Sequence, residues 1–260
     1  GEVSGDLDLL PIQHWFFEQQ IPTRDHFNLP MIFDLPKGAQ AEHVQSALDA
    51  VVAHHDALRV RFCSEGDVVT ACHSAEAKGC ELEVVDLSSM GSEDASKVVA
   101  SRAAALHGGL DIQAGPVMKA ALFKHGQDAR PELLWVMHHL VVDVVSWRIV
   151  MEDFQTALGQ FGSGEELNLP PKTTSLQDWA AGLQQYAQSE DLAREREFWC
   201  GLAQAGVAPL GSDFDRGPND AASSRTLRAE LDADTTRALL QDVPGVYGTR
   251  VDEVLLTALV

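Results

Sequence analysis

Two adjacent histidines, His138 and His139, follow an apolar segment, and the acid Asp143 comes four residues after the second. An imidazole titrates near neutral pH, so modest changes in its surroundings can make it an acid, a base or a neutral hydrogen-bonding group. The alternation along residues 133–139 predicts a strand that points the two rings to opposite faces. One ring can therefore act as a base in a cavity while its neighbour is packed and hydrogen-bonded.

The spacing of this cluster argues against two other kinds of chemistry. Histidines that face opposite ways cannot readily share an ion, so we expect no metal site at His138, His139 and Asp143. Ser146 could be a nucleophile with His139 as its base, but it lacks the Gly-x-Ser-x-Gly elbow. A serine at a predicted helix start more often caps backbone N–H groups, which favours a structural role.

Asp143 has two interpretations, a base in its own right or a buried carboxylate that holds the histidine loop in shape. A buried acid in an apolar segment needs a partner, and Arg59 or Arg61 on a nearby predicted strand could supply it, which favours the structural role. The run His54-His55-Asp56 superficially suggests a metal-dependent phosphohydrolase. Because it closes a predicted amphipathic helix, where histidines are common, we interpret it as structural.

Composition excludes several classes of function. The chain has 260 residues, of which 45% are hydrophobic, and 39 acidic against 19 basic side chains give a formal charge of −20. Nucleic-acid binding needs clustered Lys and Arg, so we expect no nucleic-acid partner. The chain has neither an apolar run of about 18 residues nor a signal pattern, so we expect no membrane segment and a cytoplasmic location. The four cysteines match no zinc knuckle or redox pair and are interpreted as buried hydrophobic residues.

The elements that must position the histidines alternate between strand and helix patterns, which predicts a mixed α/β fold. Strands are predicted over 27–35, 58–62, 68–72, 82–87, 117–124 and 133–139. Helices are predicted over 12–20, 41–55, 92–107 and 147–161. The second histidine thus lies at the end of a strand that is followed by a helix.

A segment rich in helix breakers over 162–171 predicts a linker and a lobe boundary, so we divide the chain into 1–161, a linker over 162–174, and 175–260. The elements predicted beyond 171 are helices over 176–186, 194–199 and 233–242 and from residue 251 onward, a half-buried strand over 226–231 and an exposed loop over 211–223. The chain lacks an initiator Met and stops within an apolar helix. We therefore expect it to begin inside a longer protein and to continue downstream.

Four segments occur in an order that resembles a known family. They are residues 10–17 (Leu-Pro-Ile-Gln-His-Trp-Phe-Phe), 26–28 (His-Phe-Asn), 54–62 (His-His-Asp-Ala-Leu-Arg-Val-Arg-Phe) and 138–147 (His-His-Leu-Val-Val-Asp-Val-Val-Ser-Trp). The order resembles the condensation-type domains of nonribosomal peptide synthetases. Three features resemble the epimerization domain in particular: the Pro-Ile-Gln-x-Trp-Phe opening, the Ser-Trp-Arg-Ile that ends at residue 149, and residues 247–256.

The resemblance implies a chloramphenicol acetyltransferase-like fold of two α/β lobes, with 1–161 as the complete N-terminal lobe and 175–260 as the beginning of the C-terminal lobe. It implies inversion, from L to D, of the α-carbon of an aminoacyl or peptidyl thioester. The thioester would hang from the phosphopantetheine arm of a peptidyl carrier protein domain upstream in the same chain, with a condensation domain downstream. The domain itself is expected to bind no cofactor.

The resemblance also assigns roles to residues, with His139 as the catalytic acid/base. The residues expected to support it are His138, Asp143, Arg59, Ser146 and Trp147. Among these, Arg59 is expected to form an ion pair with Asp143. The opposing carboxylate is expected beyond residue 260, in a Glu-Gly-His-Gly-type motif.

One position departs from the family pattern, since Val144 stands where the family usually has Gly after the Asp. Glycine is used where the backbone takes a positive φ or approaches a ligand closely. If the loop needs such a conformation, we expect Val144 to narrow the tunnel or to displace His139. Two alternatives therefore stand beside epimerization: an amide-forming condensation domain, and a non-catalytic scaffold that docks carrier proteins.

Overall fold

The computed structural model describes residues 3–19, 21–66, 68–74, 80–126, 129–206, 217, 220 and 222–259. The strands are β1 (Gly5–Leu7), β2 (Asn28–Asp34), β3 (Val60–Glu65), β4 (Val68–His73), β5 (Leu82–Asp86), β6 (Met118–Lys124) and β7 (Glu132–His138). The helices are α1 (Pro11–Glu18), α2 (Ala41–His54), α3 (Ser92–His107), α4 (Val144–Ser163), α5 (Leu176–Ala187), α6 (Glu190–Gln204), α7 (Ala233–Arg237), α8 (Val243–Tyr247) and α9 (Val251–Leu259). The predicted alternation of strands and helices is confirmed.

The strands form two sheets. One has the order β2-β7-β6-β5 and the other has the order β1-β4-β3. Strands β5 and β6 pair in parallel, while β2 and β6 flank β7 in antiparallel pairs. The register places Asn28 opposite His138, so the end of β7 that carries the histidines lies beside the start of β2.

The side chains of β7 alternate between two hydrophobic cores, as the period-two pattern predicts. Leu133, Trp135 and Met137 pack in a core that includes residues of α2 and α4. Leu134 and Val136 pack in a second core with residues of α3. The sheet is therefore covered by helices on both faces, which explains why this strand has so few polar residues.

Strand β2 lies at an edge of its sheet and contains a proline. Just beyond the strand, the Leu35 N–H donates to the Pro131 carbonyl, so the odd-numbered residues of β2 make the hydrogen-bonded pairs with β7. Pro30 is even-numbered, and its nitrogen faces away from β7. The missing N–H of this proline therefore costs the ladder no hydrogen bond.

Two predicted elements differ from the structure. The strand predicted over 226–231 is wrong, because these residues form no regular element and are exposed, with Leu227 at 97%. An alternating pattern becomes a strand only where a neighbour pairs with it, and no strand does so among the described residues. Helix α4 begins at Val144, three residues before the predicted start at Trp147, because Asp143 caps it.

Some predictions lie wholly or partly outside the described residues. Most of the loop predicted over 211–223 does so, as does Gln20 at the end of the helix predicted over 12–20. The expectation that all four cysteines are buried is wrong, since Cys200 is exposed and Cys63 and Cys72 are half-buried. Cys80 is buried, and burial raises the pKa of its thiol to about 12.

The chain divides into two compact units, Gly1–Ala203 and Gln204–Val260. The first unit holds both sheets and the histidine turn, and the second holds α7, α8 and α9. The lobe boundary predicted over 162–174 stays a prediction. Within the described part of the chain, no helix combines the length and the apolar character needed to span a membrane.

Candidate functional site

The turn that joins β7 to α4 holds His139 by three contacts. Its backbone N–H donates to the Phe27 carbonyl at 2.9 Å, and its Nδ1 lies 3.0 Å from the Val142 carbonyl oxygen. The ring stacks on the Phe27 ring, with centroids 5.2 Å apart and planes at 13°. Because a carbonyl oxygen only accepts hydrogen bonds, Nδ1 carries the proton and Nε2 carries the lone pair.

The neighbouring histidine is locked in place. His138 is fully buried, and its Nε2–H donates to the Arg24 carbonyl at 2.8 Å while its Nδ1 accepts from the Leu140 N–H at 3.1 Å. The edge of its ring meets Phe16 at 5.9 Å. Burial lowers the pKa of His138, which favours the neutral ring that these two bonds require. The prediction that the two histidines differ in environment is confirmed.

Gln13 also holds the turn, although sequence reasoning did not give it a role. Its side chain is buried, its Oε1 accepts from the Leu10 N–H at 2.9 Å, and its Nε2 lies 3.5 Å from the Leu140 carbonyl oxygen. Gln13 thus connects the start of α1 to the residue after His139. The signal was present in the Pro-Ile-Gln motif, where a buried glutamine stands among apolar residues.

Asp143 is exposed and caps α4, so the expectation of a buried, arginine-paired carboxylate is wrong. Its Oδ1 accepts from the Ser146 backbone N–H at 2.6 Å and from the Ser146 hydroxyl at 2.7 Å. These bonds, the one from the hydroxyl first, hold the pKa of Asp143 below its ordinary value. Ser146 is therefore a donor to the capping residue and is not the cap itself.

The predicted ion pair between Arg59 and Asp143 is also wrong. The Arg59 guanidinium is buried and donates to the carbonyls of Val52 and Ala53 at 3.1 and 3.0 Å. Its carboxylate partner is Asp56, at 3.4 Å. Arg59 therefore closes the end of α2, because the last carbonyls of a helix lack partners within it.

The remaining predicted residues lie on the first turn of α4. Trp147 is buried and packs edge-on against Trp135, with centroids 5.4 Å apart, so it anchors the helix to the sheet. Val144 is 78% exposed. Every described residue with a positive φ is a glycine. The strained backbone for which a glycine would be needed is therefore not present at Val144.

The site thus presents one imidazole nitrogen to its surroundings. Within the described part of the chain, His139 Nε2 has no hydrogen-bond partner, and the ring is half-buried. The turn also contributes to no cluster of three metal-ligating side chains among the described residues. The cluster that does occur is His54, His55 and Asp153. The arrangement around His139 is suited to accepting and returning a proton.

Comparisons with known proteins agree with this geometry. The condensation-domain family model matches residues 3–260. A linear gramicidin synthase of Brevibacillus parabrevis is 38% identical over 259 residues, and chondramide synthase of Chondromyces crocatus is 36% identical over 264 residues. Both alignments cover 100% of this chain, which spans only 5% of the gramicidin synthase and 7% of the chondramide synthase.

Solved structures show the same relationship. The crystal structure of the epimerization domain from the third module of tyrocidine synthetase B has a TM-score of 0.84 at 35% identity, covering 100% of this chain and 57% of that chain. The starter condensation domain of rhizomide synthetase has a TM-score of 0.65 at 17% identity over 75% of this chain and 47% of that one, and shares the fold. The chloramphenicol acetyltransferase-like fold is thus confirmed, and the chain belongs to the condensation-domain family of nonribosomal peptide synthetases.

Proposed function

We propose that the chain is part of an epimerization domain in which His139 exchanges the α-proton of an aminoacyl or peptidyl thioester. The observation that carries this proposal is the bond between His139 Nδ1 and the Val142 carbonyl, since it leaves Nε2 as the proton acceptor. The 35% identity to the epimerization domain of tyrocidine synthetase B, over the whole of this chain, supports it.

Inversion at a carbon next to a thioester needs a base on one face, a stabilised enolate oxygen and a proton donor on the other face. His139 supplies the group on one face. The opposing carboxylate is the Glu expected beyond residue 260. A single base can remove a proton and return it to the same face, so solvent exchange needs only His139 whereas inversion needs both groups.

The substrate we propose is carried on the phosphopantetheine arm of a peptidyl carrier protein domain upstream, with a condensation domain downstream. The synthetase relatives are many times longer than this chain, which accords with carrier domains in the same polypeptide. A chain with a formal charge of −20 repels acidic partners at long range. Docking therefore depends on short-range contacts with individual basic side chains.

The test uses the intact synthetase module that contains this chain, with an L-aminoacyl group loaded on its carrier protein. In deuterated water the wild-type module should incorporate deuterium at the α-carbon and accumulate the D-isomer. His139→Gln should slow exchange at least about 100-fold, because a positioned general base contributes about 10²- to 10⁴-fold. His14→Gln, at an exposed position on α1, is the matched control and should keep the wild-type rate.

The proposal fails if His139→Gln exchanges deuterium at the wild-type rate, or if the wild-type module neither exchanges nor inverts. Amide formation is the second candidate, because the family model that matches is that of a condensation domain. In that case the same imidazole would position an amine for attack on the thioester. An amide product from loaded donor and acceptor carriers, without deuterium incorporation, would replace epimerization by condensation.

A further inference from the structure

A second group of donor atoms lies where α2 meets α4, apart from the histidine turn. His54 is the last residue of α2, and His55 leaves the helix with φ −94° and ψ 103°. This break brings two adjacent imidazoles together, with centroids 5.0 Å apart. Both rings direct Nε2 toward Asp153 on α4, at 4.0 Å for His54 and 2.8 Å for His55.

These distances suit a small tetrahedral metal ion. Zinc bonds of about 2.0–2.2 Å place neighbouring ligand atoms about 3.4 Å apart. The two Nε2 to Oδ2 distances, 2.8 and 4.0 Å, bracket this value, and all three ligand atoms lie within 4.8 Å of one another. Adjustments of roughly half an ångström, within the reach of side-chain rotation, would therefore complete three corners of a tetrahedron.

The carboxylate of this group has no fixed cation. Asp153 is buried, and among the described residues its charged partners are the two imidazoles, without a Lys or Arg. The neighbouring acids differ, since Asp56 pairs with Lys172 at 2.8 Å and Glu152 pairs with Arg148 at 2.9 Å. A buried carboxylate without a permanent countercharge is costly, so this position favours a bound cation.

The cluster also opens onto space for a fourth ligand. A cavity of about 660 Å³ is lined by His54, His55 and Asp153 together with residues 170–176. Water or a further side-chain atom can reach an ion from this side. Zinc sites with three protein ligands keep the fourth position for such a group.

We propose that His54, His55 and Asp153 bind one Zn²⁺ ion, which fastens the end of α2 to α4. Two imidazoles and one carboxylate suit zinc, whereas Mg²⁺ and Ca²⁺ prefer oxygen ligands. The sequence interpretation of His54 and His55 as helix-closing residues stands beside this proposal, because the same two rings end α2. What the sequence did not predict is the third ligand, 98 residues away.

The test uses the protein purified without a histidine tag and stripped with EDTA. Titration with Zn²⁺ followed by calorimetry should give one equivalent of binding, and Zn²⁺ in excess should raise the midpoint of thermal unfolding by several degrees, since a ligand that binds only the folded state stabilises it. Mg²⁺ should do neither. Co²⁺ in place of Zn²⁺ should give the intense visible absorption of a four-coordinate site.

Two substitutions and a matched control locate the site. Loss of an outer-shell partner alone costs a zinc site about 10- to 100-fold in affinity, so His54→Gln and Asp153→Asn should each weaken binding by at least about tenfold. His43→Gln is the control, because His43 is also half-buried on α2 and lies outside the cluster. The proposal is overturned if the stripped protein binds no Zn²⁺ at micromolar concentration, or if His54→Gln binds it as tightly as His43→Gln does.

Discussion

At the residue scale, the orientation of His139 depends on main-chain atoms. The Val142 carbonyl fixes the tautomer, and the Phe27 carbonyl fixes the backbone of the same residue. Neither contact can be removed by a side-chain substitution. Val142 and Phe27 can therefore change identity without changing the tautomer, whereas the conformation of the turn cannot change without consequence for the imidazole.

The start of that conformation is the Asp143 cap, and its loss should be measurable. We expect Asp143→Ala to lower the free energy of unfolding by about 1 kcal/mol at pH 7, the usual cost of losing a helix cap. Folding lowers the pKa of Asp143 from its ordinary value of 3.8, so its contribution is full above pH 3.8 and is lost as the pH falls through the lowered value. Urea unfolding of both proteins across this range measures the difference.

The control for this measurement is Glu165→Ala, which removes an exposed carboxylate just after α4. It should leave the free energy of unfolding unchanged within about 0.5 kcal/mol, as is usual for surface positions. If Asp143→Ala is as stable as the wild type at pH 7, or if the deficit persists undiminished in acid, the cap contributes no charge-dependent stability.

At the scale of elements, the end of α2 is where several interactions converge. Arg59 bonds the last carbonyls of the helix and pairs with Asp56, which also receives Lys172. The same end carries His54 and His55. Because Arg59 fixes the path of the chain there, it bears indirectly on how the two imidazoles converge.

We expect Arg59→Met to lower the free energy of unfolding by about 3 kcal/mol, because removing one member of a buried pair leaves the other uncompensated. Met has a similar length, so the effect reports lost bonds more than lost volume. Arg148→Met is the matched control, since its pair with Glu152 is exposed and should be worth less than about 1 kcal/mol. Equal losses in the two variants, measured by urea unfolding, would contradict this assignment.

The sequence predicted most of the elements because their signals are local. Period-two patterns located β2 and β7, and a period near 3.6 located α2. Partners distant in sequence could not be predicted in the same way. Nothing in the chain around Asp153 indicates that it faces His55, and nothing around Arg59 indicates that Asp56 and the helix carbonyls would occupy it instead of Asp143.

At the scale of the whole molecule, the formal charge of −20 is the dominant feature. Like charges repel one another more strongly when the chain is compact, so the repulsion destabilises the folded state. Raising the salt concentration from about 0.01 to 0.15 M shortens the screening length from about 30 to about 8 Å. We therefore expect the midpoint of thermal unfolding at pH 7 to rise with NaCl over this range.

The same titration near pH 4.7, the isoelectric point of the sequence, is the control, because little net charge remains to be screened there. The rise should shrink at that pH. A midpoint that falls with NaCl at pH 7 would show that attractive ion pairs, such as that of Lys97 with Glu93, outweigh the general repulsion.

The proline in β2 has a consequence for the long proteins in which such domains occur. Relatives of which this chain covers 5% and 7% hold neighbouring domains on one polypeptide, at high effective concentration. An exposed strand edge with a full row of N–H donors could recruit a strand from a neighbour. Pro30 removes one donor from the outer edge of β2, and so insulates the sheet that carries His139 against misassembly with its own neighbours.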